Sequence, residues 1–126
     1  MSKKKVVSFL FLLALSFSLS ACKSKSVADK DILETSQQAN TITWGVKNDT
    51  RLFVLMDISS KEVKGFDIDI AKAITEEIIG RDGNANFVEV TSKSRIPLLK
   101  NGNIDAIIAT MTISEERKKQ VDFSDV

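Results

Sequence analysis

The chain has no histidine, one cysteine, one proline and one tryptophan in 126 residues. Without histidine it lacks the side chain that most often serves as general base or metal ligand near neutral pH. A lone cysteine, Cys22, cannot close an internal disulfide, so cysteine usage says little about redox compartment. An excess of one charge is lacking too: 18 Lys+Arg stand against 17 Asp+Glu, a formal net charge of +1. Nothing in that balance suggests a nucleic-acid partner. The long uncharged run, Val6–Ser20, has 15 residues, short of the roughly 20 that a spanning helix needs. No nucleophile has a base partner and no donors stand at metal-ligand spacing. Asp67, Asp69, Glu76 and Glu77 are the obvious carboxylates, and helix capping and a solvated face account for them. A non-enzymatic protein without cofactor or metal is therefore expected.

What is present begins with Lys3, Lys4 and Lys5, then the apolar run, then small residues, the pattern of an export signal. The run ends Leu19-Ser20-Ala21-Cys22, which resembles the lipobox of bacterial lipoproteins. That resemblance implies a lipoprotein signal over residues 1–22. The Cys22 thiol would take a diacylglycerol and become the new N-terminus. The chain would then sit on the outer face of the cell membrane by its lipid anchor. Losing the three lysines leaves 15 Lys+Arg against 17 Asp+Glu. Residues 23–40 are polar, with few apolar residues and no sustained period. They read as a flexible tether, with a short irregular helix around Asp29–Gln38 as the alternative.

From Thr41 the texture changes. Thr41–Val46 is β-rich and reads as a strand. Leu52–Met56 and Glu62–Gly65 flank a polar turn and suggest a hairpin. Phe66, Ile70, Ile74 and Ile78 recur every four residues, one stripe of a helix over Phe66–Ile79. Asp67 or Asp69 would sit near its N-terminus, where a carboxylate accepts free N–H groups. Ala85–Thr91 reads as a strand and Ser94–Asn101 as a short helix with Pro97 in its first turn. Ile104–Thr110 is apolar except for Asp105, as in a parallel strand covered on both faces. Strands alternating with helical crossovers imply an α/β layer with a parallel sheet. Ligands of such sheets lie beyond the carboxyl ends of the strands. Residues 46–48, 91–95 and 110–117 all fall there.

The densest of these ends is Ala109-Thr110-Met111-Thr112-Ile113-Ser114-Glu115-Glu116-Arg117, followed by Val121-Asp122-Phe123-Ser124-Asp125. An apolar run opens into hydroxyls and free backbone groups, with an arginine a few residues on. That suits a small carboxylate. The segment also resembles, almost letter for letter, one from the bacterial extracellular solute-binding proteins of family 3, the receptors of amino-acid ABC importers. Gly65-Phe66-Asp67-Ile68-Asp69-Ile70, Arg95-Ile96-Pro97-Leu98-Leu99 and Asn103–Ala109 resemble further blocks in the same order. The likeness runs from Trp44 to Val126 and is greatest to the glutamine and glutamate receptors. Thr75 departs from it, where a smaller residue is usual, as does Arg51, where proline is common.

The resemblance implies a periplasmic-binding-protein-like fold of two α/β lobes closing on a free amino acid. Residues 41–126 would form the first part of lobe one, with the second lobe and hinge beyond Val126. It implies that Arg117 grips the ligand carboxylate with two parallel N–H bonds, helped by the backbone at Thr112. The Thr110 carbonyl and Thr112 hydroxyl would receive the ammonium, and Phe53 would stand near the cleft. Lys47 and Arg95 would face the ligand's side chain, which favours glutamine, glutamate or aspartate. Asp49 is left unassigned. The implied function is a monomeric substrate-binding component that serves the permease subunits of an amino-acid ABC importer. A fragment without binding activity of its own, or an amino-acid sensor domain, are the alternatives.

Overall fold

The computed structural model describes residues 31–125 except 51, 58 and 61. The signal, the lipobox with Cys22, and Arg51 therefore lie outside the described residues. Among the described residues nine elements follow one another: α1 Ile32–Ala39, β1 Thr41–Val46, β2 Leu55–Met56, β3 Val63–Lys64, α2 Phe66–Ile79, β4 Asn84–Glu89, α3 Arg95–Lys100, β5 Ala106–Ile108 and α4 Glu115–Lys118.

β1 is the centre of a three-stranded parallel sheet of order β4-β1-β5. Thr41 pairs with Asn84 through to Val46 with Glu89, and Trp44 with Ala106 through to Val46 with Ile108. Alternation along β1 separates two cores. On one face Ile42, Trp44 and Val46 join Val54, Ile68 and Ala71. On the other, Val90, Ile104 and Ala109 cluster with Val88, Leu98, Leu99 and Ile107 beside them. Gly45 faces this second cluster, and a methyl group there would meet Ile104 Cδ1 at 2.6 Å. The expected α/β layer with a parallel sheet is thus present, as a partial domain.

Several expectations meet a different geometry. Residues 32–39, read as part of a tether with a short helix around Asp29–Gln38 as the alternative, form the helix α1. Both of its ends are capped. Asp31 accepts the Glu34 N–H at 3.1 Å, and Asn40 closes the helix in the left-handed region at φ 52°. Asn40 and Gln37 then donate side-chain hydrogen bonds to the carbonyls of Asp82 and Ile78, tying α1 to the far end of α2.

α2 forms over the expected residues, but its four-residue stripe is not its buried face. Ile68, Ala71 and Thr75 point into the core, whereas Phe66, Ile70, Ile74 and Ile78 are 37–60% exposed. Ile70 and Ile74 line a groove of about 1100 Å³ shared with β5, whose outer edge has no partner strand among the described residues. Neither Asp67 nor Asp69 caps the helix. The N-cap is Gly65, without a side-chain cap, and the carbonyls of Leu52 and Phe53 accept the N–H groups of Phe66 and Asp67 at 3.1 and 3.0 Å.

The hairpin is present with only two paired residues per strand, its turn held by the Asp57 carboxylate accepting from Ser59 and Ser60. β5 is shorter than the apolar run because Asp105 intervenes. Its carboxylate accepts the Thr43 N–H at 2.8 Å while its own N–H donates to the Thr43 carbonyl at 2.7 Å. One side chain thereby takes the place of a ladder carbonyl.

Candidate functional site

The register of the sheet brings three chain segments together at one end. Val46 pairs with both Glu89 and Ile108, so Lys47, Val90 and Ala109 leave the sheet side by side. Beyond them lie residues 47–50, 91–94 and 110–114. None of these segments belongs to a helix or strand, so their backbone groups can turn toward a ligand.

Ala109 is buried, and at Thr110 the chain turns sharply. Thr110 has φ 48° and is exposed. A β-branched residue rarely adopts that left-handed conformation. The corner directs residues 111–114 away from β5 and into α4. There the Ser114 hydroxyl accepts the Arg117 N–H at 3.3 Å, and the acids Glu115 and Glu116 fill the first turn. The short helix aims Arg117 backward. Its Nη1 donates to the Thr112 carbonyl at 2.6 Å, so the guanidinium lies over the loop it follows. No ion pair involves Arg117 among the described residues.

Arg95 approaches the same loop from below. It opens α3, its side chain is 4% exposed, and its Nη1 donates to the Ala109 carbonyl at 3.0 Å. Its Nε is buried without a hydrogen-bond partner. Burial, and then the charge of Arg117, push its guanidinium below the usual range. Two guanidinium groups thus approach one strand end, and neither forms an ion pair among the described residues.

Lys47, beside Ala109, is engaged differently. Its ammonium pairs with the Asp49 carboxylate at 3.2 Å, which holds that carboxyl below its ordinary value. Phe53 stands further off, 44% exposed, edge-on to Phe66 with ring centroids 6.2 Å apart. It lines the large groove, as does Thr110, whereas Lys47, Arg95, Thr112 and Arg117 do not. The groove and the cationic strand end are therefore neighbouring features that meet at Thr110.

Of the residues singled out by sequence, the structure brings Arg95, Thr110, Thr112 and Arg117 around one loop. The register sets Lys47 beside them, and Phe53 belongs to the groove. Two acids take places that the sequence did not assign them. Asp49 pairs with Lys47, a lysine–aspartate spacing of two that is legible but not distinctive. Asp67 is 6% exposed and lines the groove, and burial pushes its carboxyl up. Its position one residue past Phe66 looked like a helix-capping role.

Residues 42–126 match the sequence pattern of bacterial extracellular solute-binding proteins, family 3. The chain is 56% identical over 115 residues to the ABC transporter glutamine-binding protein GlnH of Bacillus subtilis strain 168, covering 86% of this chain and 42% of that one. It is 50% identical over 106 residues to the glutamine-binding protein of Geobacillus stearothermophilus, covering 84% and 40%. It thus spans about two fifths of the length of these relatives. Among solved structures, an ancestral cationic amino acid solute-binding protein superposes with a TM-score of 0.67 at 38% identity, over 74% of this chain and 39% of that one. The arginine-bound form of domain 1 from the arginine-binding protein TmArgBP gives 0.64 at 35% identity, over 72% and 69%.

Proposed function

The chain belongs to the bacterial extracellular solute-binding proteins, family 3, and from that premise we propose that it forms the amino-acid-binding part of lobe one of an ABC importer receptor. The observation that carries this reading is the unbalanced pair of guanidinium groups, Arg117 and Arg95, at the carboxyl end of β5. An α-carboxylate is the anion that such a site awaits. Arg117 presents its remaining N–H groups as a fork, and paired N–H bonds to carboxylate are shorter and stronger than neutral ones. The Thr112 backbone and hydroxyl and the Thr110 carbonyl complete the grip on the zwitterion.

The ligand is a polar or acidic amino acid: glutamine first, then glutamate or aspartate. Lys47 stands next to the carboxylate site and reads the side chain, and Phe53 supplies an apolar wall. Two relatives named as glutamine-binding proteins support this order. In the cell the protein delivers its ligand to the permease subunits of the importer. It is a monomer held at the outer face of the membrane by the lipid on Cys22, and it does no chemistry on its ligand.

Domain 1 of TmArgBP is described in an arginine-bound form, which supports binding to one lobe in a relative. For this chain, an open site implies weak binding, since charged pairs lose strength in water. The test is calorimetric titration of the 126-residue chain with glutamine, glutamate, aspartate, leucine and lysine. Saturable heat with the first three and none with leucine or lysine is expected. Heat with leucine or lysine alone would refute the assignment.

A further inference from the structure

Arg95 is a large, costly cation in an unusual place. It is nine-tenths buried, its Nε has no partner, and no ion pair involves it among the described residues. Among the described residues its side-chain hydrogen bond goes to the Ala109 carbonyl, the last group before the left-handed Thr110. A buried unpaired charge is ordinarily removed or neutralised. A leucine or methionine would carry no such cost. The charge therefore calls for a reason at this position, and the nearest features are the Thr110 corner and Arg117.

We propose that Arg95 is a positioning residue for the carboxylate site: without touching the ligand, it clamps the Ala109 carbonyl to fix the Thr110 corner and sets a second positive charge behind Arg117. The clamp determines where the Thr110 and Thr112 backbone groups point. The charge acts through space. With the site empty, two cations repel each other. A bound carboxylate is attracted to both, so part of the binding energy comes from relieving that repulsion. Its bond to Ala109 and its burial separate Arg95 from Lys47, which stands nearer the surface and pairs with Asp49. This inference rests on the carboxylate reading of Arg117, and the experiment separates the two.

The test uses the 126-residue chain with Arg95→Lys and Arg95→Gln, each checked by thermal melting, and Arg117→Ala as a control. Both Arg95 variants can donate to the Ala109 carbonyl, but only lysine keeps the charge. Calorimetry with glutamine and with glutamate should show Arg95→Lys within about threefold of the parent, and Arg95→Gln weaker by about tenfold or more. The loss should be shared by both ligands. Equal affinities for Arg95→Lys and Arg95→Gln would overturn the electrostatic role. A loss confined to glutamate would overturn positioning and put Arg95 in contact with the side chain. Failure of Arg95→Lys to fold would overturn it too, by showing that the guanidinium serves packing alone. Binding that survives Arg117→Ala, or no binding by the parent, would overturn the carboxylate reading and the inference with it.

Discussion

The indole N–H of Trp44 donates to the Thr75 hydroxyl at 2.9 Å, and that hydroxyl donates in turn to the Ala71 carbonyl at 2.8 Å. Trp44 sits mid-strand in β1 and Thr75 mid-helix in α2, so this buried relay ties the helix to the central strand. It gives a buried threonine in the middle of α2 a structural role. A methyl or hydrogen there would leave the indole N–H without a partner.

Thr75→Val should therefore cost about 1–3 kcal/mol of stability, the penalty of an unsatisfied buried donor. Thr75→Ser, which keeps the hydroxyl, should cost less. Trp44 is the only tryptophan, so its fluorescence in urea titrations reports both values directly.

Gly65 has φ 138°, and a Cβ there would clash with the Phe53 carbonyl. That carbonyl is the acceptor for the Asp67 N–H. Gly65→Ala should destabilise by roughly 1–3 kcal/mol from backbone strain alone. It should also displace the 52–53 loop that carries Phe53. Thermal melting checks the first effect, and a change in the Phe53–Phe66 contact by NMR checks the second.

The two faces of α2 should respond unequally to substitution. Ile68 is fully buried, and Ile68→Ala should cost about 2–5 kcal/mol. Ile74 is 39% exposed, and Ile74→Lys should stay within about 0.5 kcal/mol. It should also reduce binding of an apolar dye to the groove that Ile74 lines. Equal costs in denaturant titrations would show that the stripe is packed after all.

Burial raises the Asp67 carboxyl above its ordinary value of 3.8. A raised carboxyl favours the protonated fold, so its contribution is full below pH 3.8 and is lost as pH rises through the folded value. Asp67→Asn should therefore be more stable than the parent near pH 7, with the difference shrinking toward zero below pH 3.8. Asp49 is the opposite case. Lys47 lowers its carboxyl, so whatever that pair adds is present above 3.8 and lost as pH falls further. Denaturation midpoints at a series of pH values test both signs.

How much of this was legible follows from the kind of signal each feature leaves. The parallel sheet was readable because β-branched runs and helical spacing are local. The loop with Thr110, Thr112 and Arg117 was readable because its residue order is dense and distinctive. The orientation of α2 was not, because a stripe at four-residue spacing shows that a helix is amphipathic but not which flank meets the sheet. Ile68, Ala71 and Thr75 made a less conspicuous stripe and formed the core. The burial of Arg95 was equally hidden. An arginine at a helix start gives no sign of whether it reaches solvent, a ligand or a carbonyl fourteen residues away. Asp105 looked like a blemish in an apolar strand, yet its carboxylate replaces a ladder bond that only β1 could reveal.

The central claim is that Arg117 receives the carboxylate of an amino acid at the end of β5. Titration of glutamine into the parent chain and into Arg117→Ala, by calorimetry under identical conditions, tests it most directly. Weak but saturable heat is expected with the parent and no detectable heat with the variant, because an open site leaves little binding energy beyond the Arg117 contact. Near-parental affinity in Arg117→Ala would contradict the account and return Arg117 to a solvated charge on α4.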